Sequence, residues 1–285
     1  MRINYSLHKI SKVDTFSFDA HAYSRFKYGD GLISEKFGID LAKGFIENHL
    51  KKSPISSQIV VISSPYCFIP TATFAMKNHF VFCLNLWLAE NNLPVVQEAK
   101  VHRTITYKDD YGELNAEERI NLIGNDSFHI DAEFLAGKVL IFLDDIKITG
   151  SHERMITRML EEYELQNDTF LLYFAELVNK EIHPNIENYL NYFSVKSIFD
   201  LKTIINDENF VINTRIVKYI LSTEKSVFQV FMEEQTTPFV QLLYNMAIGN
   251  SYHTIDAYRE NLEIIKKLII YQQKIILQPK IEENY

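Results

Sequence analysis

The sequence predicts an α/β protein in which helices flank a mostly parallel sheet and an all-α region follows at the C-terminus. Short apolar runs at 58–63 and 139–143 alternate with longer stretches of helical spacing, as in buried parallel strands joined by helical crossovers. Beyond His183-Pro184 no run has clear strand character, and helical spacing continues. In such sheets ligands bind outside the carboxyl ends of the strands.

Each element is predicted from its own pattern of apolar residues and breakers. In order they are a helix over 35–50, a strand over 58–63, a helix over 73–91, a strand over 95–104, a polar loop over 107–126, a strand over 139–143, a helix from 151, a strand over 169–178 and a last helix over 254–276. The loop is long enough to favour a functional role. We expect three regions: an N-terminal lead-in over 1–54, a core over 55–183 and a helical region over 184–285.

Composition excludes several classes of protein. Of the 285 residues, 47% are hydrophobic and 23% are charged, which is typical of a folded globular chain. The 29 basic and 37 acidic residues give a net charge of -8, so nucleic acid is an unlikely partner. Two cysteines, Cys67 and Cys83, cannot form a disulfide framework, and no stretch has the length and hydropathy of a signal peptide or membrane span. We therefore expect a cytoplasmic protein with no membrane partner.

One segment combines several features of a ribose-phosphate site. An apolar strand, VLIFL, leads into Asp144 and Asp145, then into a short loop with a single glycine, Gly150, and the start of a helix. Carboxylates accept hydrogen bonds from sugar hydroxyls or contact a hydrated magnesium ion. Backbone N–H groups of a glycine loop at a helix N-terminus bind phosphate. No Walker A or dinucleotide-binding glycine motif occurs, and no paired metal-binding spacing.

The segment LIFLDDIKITGS resembles the motif of the type I phosphoribosyltransferases that holds phosphoribosyl pyrophosphate (PRPP). Upstream, LNAEERINLIGNDSFHI followed by LAGKVLIFLDD is similar to the competence-protein ComF branch, including members associated with stress or tellurite-resistance loci. That branch has a loop with a spaced Arg and Asn before the strand and the PRPP motif, and Arg119 and Asn121 occupy those places in this sequence. The resemblance implies a type I phosphoribosyltransferase-like sheet and an enzyme that transfers phosphoribosyl to a nitrogen acceptor.

The resemblance also implies roles for individual residues. Asp144 and Asp145 would hold the ribose hydroxyls, and magnesium would arrive with PRPP. The 5′-phosphate would be wrapped by Lys147, Ile148, Thr149, Gly150, Ser151 and His152. The pyrophosphate loop would follow the first core strand at Ser63, Ser64, Pro65 and Tyr66. Cations for the leaving pyrophosphate would be Lys100, Arg103 and Arg119, because negative charge builds on the leaving group.

Departures from the family pattern keep alternatives open. Ile148 stands where a second threonine or alanine is usual, and His152 stands where a threonine is usual. Loss of these hydroxyls favours a non-catalytic PRPP or nucleotide sensor, while the ComF resemblance suggests an accessory in nucleic-acid handling or stress response.

Two other segments each allow two alternative roles. The run Tyr23–Asp30 interleaves aromatic and basic residues, and it either packs on the sheet or reaches a base or phosphate. The last helix has an apolar face that is covered either by a hood over the acceptor pocket or by a second subunit in a homodimer. That face comprises Ile255, Tyr258, Leu262, Ile265, Leu268 and Ile269.

Overall fold

The apolar runs form neighbouring strands of one parallel sheet. The computed structural model describes residues 1–103 and 128–277. Its strands are β1 (Arg2–Ile10), β2 (Ile59–Ser63), β3 (Gln97–Ala99), β4 (His102–Arg103), β5 (Phe128–His129), β6 (Val139–Lys147) and β7 (Thr169–Leu177). The five-stranded sheet has the order β1-β7-β6-β2-β3, and every neighbouring pair is parallel. Strands β4 and β5 form a separate antiparallel pair.

Helices connect these strands and continue beyond the last of them. They are α1 (Ala20–Lys27), α2 (Gly31–Phe45, extended by a π-helical turn, Ile46–Leu50), α3 (Ala72–Glu90), α4 (Ala132–Leu135), α5 (Ser151–Glu162), α6 (Ile186–Asn191), α7 (Lys202–Ile205, preceded by a 3-10 turn, Ile198–Leu201), α8 (Thr214–Ser222), α9 (Lys225–Glu233), α10 (Thr237–Gly249) and α11 (Asp256–Leu277). The predicted mostly parallel sheet with flanking helices is confirmed.

Both faces of the sheet are buried at its central strands, which explains why β2 and the first half of β6 are continuously apolar. Alternate residues of β2 belong to different clusters: Val61 packs with residues of α2 and α3, whereas Ile62 packs with Met155 and Met159 of α5. Every residue of β2 and the first five residues of β6 are buried. A sheet covered on both faces leaves its strand ends as the place where polar side chains reach solvent.

Strand β6 is longer than its apolar run predicts. The run ends at Leu143, but ladder pairing continues through Asp144 with Tyr173 to Lys147 with Glu176. The two acids therefore lie inside the strand instead of following it. Their partners, described below, replace the water that exposed carboxylates would bind.

The N-terminal region, expected as a lead-in, contributes an edge strand. Strand β1 pairs with β7 from Arg2 with Thr169 to Ile10 with Leu177. Its last residue, Ile10, is fully buried in the cluster that α2 and α3 cover. Residues 2–10 are thus part of the core sheet.

The chain divides into two compact units between Arg215 and Ile216, later than the boundary expected near 183. Helix α6 belongs to the first unit because Ile186 and Leu190 join the main cluster. In addition, Ser24 of α1 donates a hydrogen bond to the carbonyl of Asn191, at 2.7 Å.

The second unit consists of helices, as the spacing predicts. Of the apolar face predicted for the last helix, Tyr258, Leu262 and Ile265 are buried and Leu268 and Ile269 are partly exposed, while Ile255, also partly exposed, directly precedes α11. Asn261 donates from its amide to the carbonyls of Leu221 (3.0 Å) and Thr223 (2.8 Å), which fixes α11 against the end of α8. Homodimerisation and the hood stay predictions.

None of the helices in the described residues has the length and hydropathy needed to cross a membrane. The polar loop predicted over 107–126, with Arg119 and Asn121, lies outside the described residues.

Candidate functional site

The predicted site residues come from three elements that meet at one edge of the sheet. Ser63 ends β2 and Ser64 follows it, Asp144 and Asp145 lie near the end of β6, and Gly150 precedes α5. Strands β2 and β6 are parallel neighbours, and Ser63 pairs with Leu143, so β2 ends level with the residue that directly precedes the two acids. The fold therefore brings together residues that are about eighty positions apart in sequence.

Asp144 connects two of the predicted ligand loops. Its Oδ1 accepts a hydrogen bond from the Ser64 hydroxyl at 2.7 Å, and its Oδ2 lies 2.8 Å from Nδ1 of His152. Thr73, at the start of α3, approaches Oδ1 at 3.4 Å. The carboxylate thus lies between the loop after β2 and the first turn of α5, and its side chain keeps 16% exposure.

The surroundings of Asp144 stabilise its ionised form. Burial on its own raises the pKa of this carboxyl, but the charge of His152 and the hydrogen bonds from His152 and Ser64 outweigh that effect, with Lys27 adding to it. The net result is a pKa well below the ordinary value for aspartate. Asp144 is therefore an acceptor at neutral pH, suited to a sugar hydroxyl.

Asp145 has a different set of partners, all from the helical layer. Its Oδ2 accepts a hydrogen bond from the Tyr23 hydroxyl at 2.7 Å and forms an ion pair with Nζ of Lys27. Thr73 approaches Oδ1 at 3.4 Å. Burial, followed by the negative charge of Asp145, raises the pKa of Tyr23, so its hydroxyl keeps the proton that it donates. Among the side-chain hydrogen-bond donors of the described residues, Thr73 is the one that these two carboxylates share.

The glycine loop has the backbone that its sequence predicts. Gly150 has φ +69° and caps the N-terminus of α5, a conformation that favours glycine. The hydroxyls of Thr149 and Ser151 lie 2.7 Å apart. Arg154 donates to the Thr149 carbonyl and to the Ser151 hydroxyl, both at 2.9 Å. A glycine turn, two hydroxyls and a guanidinium are groups that bind anions.

Two other residues of the predicted phosphate loop, Lys147 and Ile148, contact other parts of the protein. Lys147 lies 2.8 Å from Glu153 and 3.2 Å from Glu176, so two carboxylates already neutralise it. Burial lowers the pKa of Lys147, but the hydrogen bonds and negative charges of Glu153 and Glu176 raise it by more, so its pKa lies above the ordinary value for lysine. The Ile148 side chain packs against the main hydrophobic cluster. Any contact of Ile148 with phosphate would have to come from its backbone.

The predicted pyrophosphate loop and Lys100 also meet. Lys100 donates from Nζ to the Cys67 carbonyl at 2.7 Å and lies 4.0 Å from the centre of the Tyr66 ring. Burial lowers the pKa of Lys100. Tyr66 also forms an isolated parallel bridge with His102. Lys100 therefore holds the chain after β2, next to Pro65 and Ser64, through a cation–π contact and a hydrogen bond.

The remaining predicted cations are only partly placed. Arg103 ends β4, where it pairs with Phe128 of β5. Arg119 lies outside the described residues. Their roles toward a leaving pyrophosphate stay predictions.

Four side chains at this edge were not assigned to the site from the sequence: Tyr23, Lys27, Thr73 and Arg154. Tyr23 and Lys27 belong to the run that interleaves aromatic and basic residues, and they lie one helical turn apart on α1. Arg154 is four residues after Gly150, so the first turn of α5 places it at the loop. Nothing local to Thr73 indicates that its hydroxyl reaches both acids.

Tyr173 is a buried tyrosine on the strand next to Asp144. It pairs with Asp144 in the ladder, is 2% exposed, and its hydroxyl has no hydrogen-bond partner among the described residues. Burial, then the charge of Asp144, raises its pKa. The Tyr173 hydroxyl therefore keeps its proton at neutral pH.

Comparison with known proteins identifies one family. The sequence model described as PRTase ComF-like, where PRTase stands for phosphoribosyltransferase, matches residues 1–265. A search of curated protein sequences finds no significant match.

Similar solved structures are also phosphoribosyltransferases. A Staphylococcus aureus hypoxanthine phosphoribosyltransferase is 10% identical, with a TM-score of 0.32, over 51% of this chain and 76% of that one. A Trypanosoma cruzi hypoxanthine phosphoribosyltransferase is 10% identical, with a TM-score of 0.32, over 52% of this chain and 76% of that one. A Saccharomyces cerevisiae adenine phosphoribosyltransferase is 19% identical, with a TM-score of 0.27, over 49% of this chain and 66% of that one. The family assignment rests on the sequence model, not on these distant likenesses.

Proposed function

Since this chain belongs to the ComF-like phosphoribosyltransferase family, we propose that it binds PRPP with magnesium and transfers the phosphoribosyl group to a nitrogen acceptor. One observation carries the proposal: the Asp144 carboxylate lies between Ser64, in the predicted pyrophosphate loop, and His152, at the predicted phosphate loop. A ribose that bridges a pyrophosphate and a 5′-phosphate needs a hydroxyl acceptor at that position.

The reaction breaks the bond between ribose C1 and the pyrophosphate oxygen and forms a bond between C1 and the acceptor nitrogen. Pyrophosphate leaves with the bonding electron pair, and the acceptor nitrogen loses a proton to solvent or to the leaving group. Positive charge develops at C1 and negative charge on the leaving group. Asp144 would orient the sugar, and the Thr149–Ser151 loop with Arg154 would bind the 5′-phosphate.

Magnesium enters this proposal as part of the substrate. Within the described residues, no group of three or more His, Cys, Asp and Glu side chains is arranged to hold a metal ion. Mg²⁺ commonly keeps several waters and binds substrate phosphates through only one or two carboxylates. Asp144 is an oxygen donor of the type that such a hydrated ion contacts, so the residues present fit an ion that accompanies PRPP.

A non-catalytic PRPP or nucleotide sensor is the second candidate. It is favoured because three positions of the phosphate loop are already engaged: Lys147 by two glutamates, His152 by Asp144 and Ile148 by the core. Such a loop would bind the sugar phosphate while contributing little to the departure of pyrophosphate.

Turnover separates the two candidates. Purified protein is incubated with PRPP, Mg²⁺ and a panel of nitrogenous bases, nucleosides and amines, and pyrophosphate release is measured. Acceptor-dependent release at a rate above that without protein supports the transferase. Saturable PRPP binding with no release from any acceptor supports the sensor. Absence of both binding and release contradicts the proposal.

A further inference from the structure

Four side chains of alternating charge connect the edge strand β1 to the start of α5. Lys9 of β1 and Lys147 of β6 both pair with Glu176 of β7 in the sheet ladders. The Nζ atom of Lys147 lies 3.2 Å from Glu176 and 2.8 Å from Glu153 of α5, and Nζ of Lys9 lies 2.5 Å from Glu176. We call these four residues the charged network. Its two positive and two negative charges alternate in space, so each has an opposite charge beside it.

The two carboxylates of the charged network also accept hydrogen bonds from neutral side chains of β1. Asn4 donates to Oε1 of Glu153, and Ser6 donates to Oε2 of Glu176, both at 2.8 Å. Burial raises the pKa of each carboxyl, but its hydrogen bonds and the charge of Lys147 lower it by more, so both pKa values lie below the ordinary value for glutamate. Both carboxylates are therefore ionised at neutral pH.

The ion pair between Lys147 and Glu153 closes the phosphate loop at its base. Lys147 directly precedes the loop, residues 148–152, and Glu153 directly follows it in the first turn of α5, so the pair joins the two ends of the loop. A Cβ added at Gly150 would lie 3.9 Å from both Cε of Lys147 and Oε2 of Glu153. The ion pair thus lies beside the glycine turn, and an anion bound at that turn would approach the carboxylate of Glu153.

We propose that Lys147 and Glu153 are positioning residues for the phosphate loop and that Lys147 is not itself a ligand of the phosphate. This proposal rests on the proposed function. The charged network holds the loop in shape from β1, so that its backbone N–H groups and Arg154 are in place before the 5′-phosphate binds. A loop that is ordered in advance binds more tightly, because less conformational freedom is lost on binding.

The opposite charges of Lys147 and Glu153 allow a test by the direction of each effect. If Lys147 bound the phosphate, its removal would weaken binding, and removal of the nearby negative charge of Glu153 would strengthen binding. If the ion pair positions the loop, removal of either member weakens binding. Calorimetric affinity for ribose 5-phosphate and the Tm without ligand are measured for the wild type, Lys147→Met, Glu153→Met, the double variant and Lys147→Arg.

The proposal predicts a loss of affinity in both single variants. Lys147→Met should weaken the binding of ribose 5-phosphate about tenfold and Glu153→Met about fivefold, because either change releases the ends of the loop. The double variant should be weakened about tenfold, well short of the roughly fiftyfold of independent losses, since each residue acts through the other. Lys147→Arg, which keeps the charge, should bind within about threefold of the wild type.

Glu162→Met is a matched control for the loss of one negative charge from α5. Glu162 is the last residue of that helix, where it lies 3.4 Å from Arg158, far from the phosphate loop. This variant should keep the wild-type affinity for ribose 5-phosphate. A loss equal to that of Glu153→Met would show that the effect is not specific to the charged network.

Three other results would overturn the proposal. Weaker binding by Lys147→Met together with tighter binding by Glu153→Met would assign Lys147 to the phosphate itself. A lower Tm with unchanged affinity would show that the ion pair stabilises the fold alone. Fully additive losses in the double variant would show that the two residues act independently. All of these results leave the wild-type affinity intact, whereas a wild type that binds no ribose 5-phosphate would contradict the proposed function and the positioning role together.

Discussion

At the scale of single residues, the backbone of Gly150 constrains the phosphate loop. Its φ of +69° costs an L-residue about 1 kcal/mol, although an added Cβ would meet nothing closer than 3.5 Å. We expect Gly150→Ala to lower the free energy of unfolding by about this amount and to weaken PRPP binding, because the loop must shift to relieve the strain. Chemical denaturation and calorimetry measure the two effects.

Gly137 offers a matched control. It has φ +72° with nothing within 4 Å of an added Cβ, and it precedes β6 at the opposite end of the strand from the site. Gly137→Ala should therefore lose similar stability and keep the affinity for PRPP. Equal loss of affinity in both variants would show that Gly150 has no special relation to the ligand.

The lowered pKa of Asp144 predicts a particular acid response. The folded-state pKa lies below the unfolded value of about 3.9, so the carboxylate contributes stability that is present above about pH 4 and is lost as the pH falls toward the folded-state pKa. We expect the difference in free energy of unfolding between wild type and Asp144→Asn to shrink as the pH is lowered below 4. Denaturant titrations at several pH values measure it. A difference that grows with acidity would contradict the ion-pair geometry.

At the scale of elements, strand β1 changes how the N-terminal region is understood. Ile10 is fully buried within it, whereas Val13, just beyond its end, is 55% exposed. We expect Ile10→Ala to lower the free energy of unfolding by about 3 kcal/mol and Val13→Ala to change it by less than about 0.5 kcal/mol. Equal effects would show that residues 2–10 are not part of the core.

The same strand shows why sequence alone predicted the central strands better than the edge. Strands β2 and β6 are buried on both faces and therefore have continuous apolar runs, which can be recognised locally. Strand β1 is half exposed, with a mixed pattern of polar and apolar residues, and its partner β7 lies more than 150 residues away. Its pairing is decided by long-range contacts that no local pattern contains.

In the candidate site, too, local sequence predicted some features and long-range packing decided the others. The motif around Asp144 and Gly150 is contiguous, so its residue types and spacing predicted a phosphate loop and adjacent acids. The partners of those acids come from α1 and α3, and their identity depends on how helices pack across the sheet. The different hydrogen-bond partners of the two adjacent carboxylates could not be predicted from sequence for that reason.

At the scale of the whole molecule, net charge bears on the nucleic-acid alternative. With a charge of -8, the chain gives little general attraction to a phosphate backbone. We expect no binding of single-stranded DNA at micromolar protein concentration and physiological salt, measured by fluorescence anisotropy. Salt-dependent binding under those conditions would instead support the accessory role.

The most direct test of the account is a calorimetric titration of PRPP with Mg²⁺ into three proteins: wild type, Asp144→Asn and Asp168→Asn. Asp168 precedes β7 at the other end of the strands, where it is exposed and pairs with the N-terminus, so it controls for the change in charge. Saturable binding should be lost or weakened about a hundredfold in Asp144→Asn, the scale of two charge-assisted contacts with the ribose hydroxyls, and preserved in Asp168→Asn. Unchanged affinity in a folded Asp144→Asn protein, or no binding by the wild type, would contradict it.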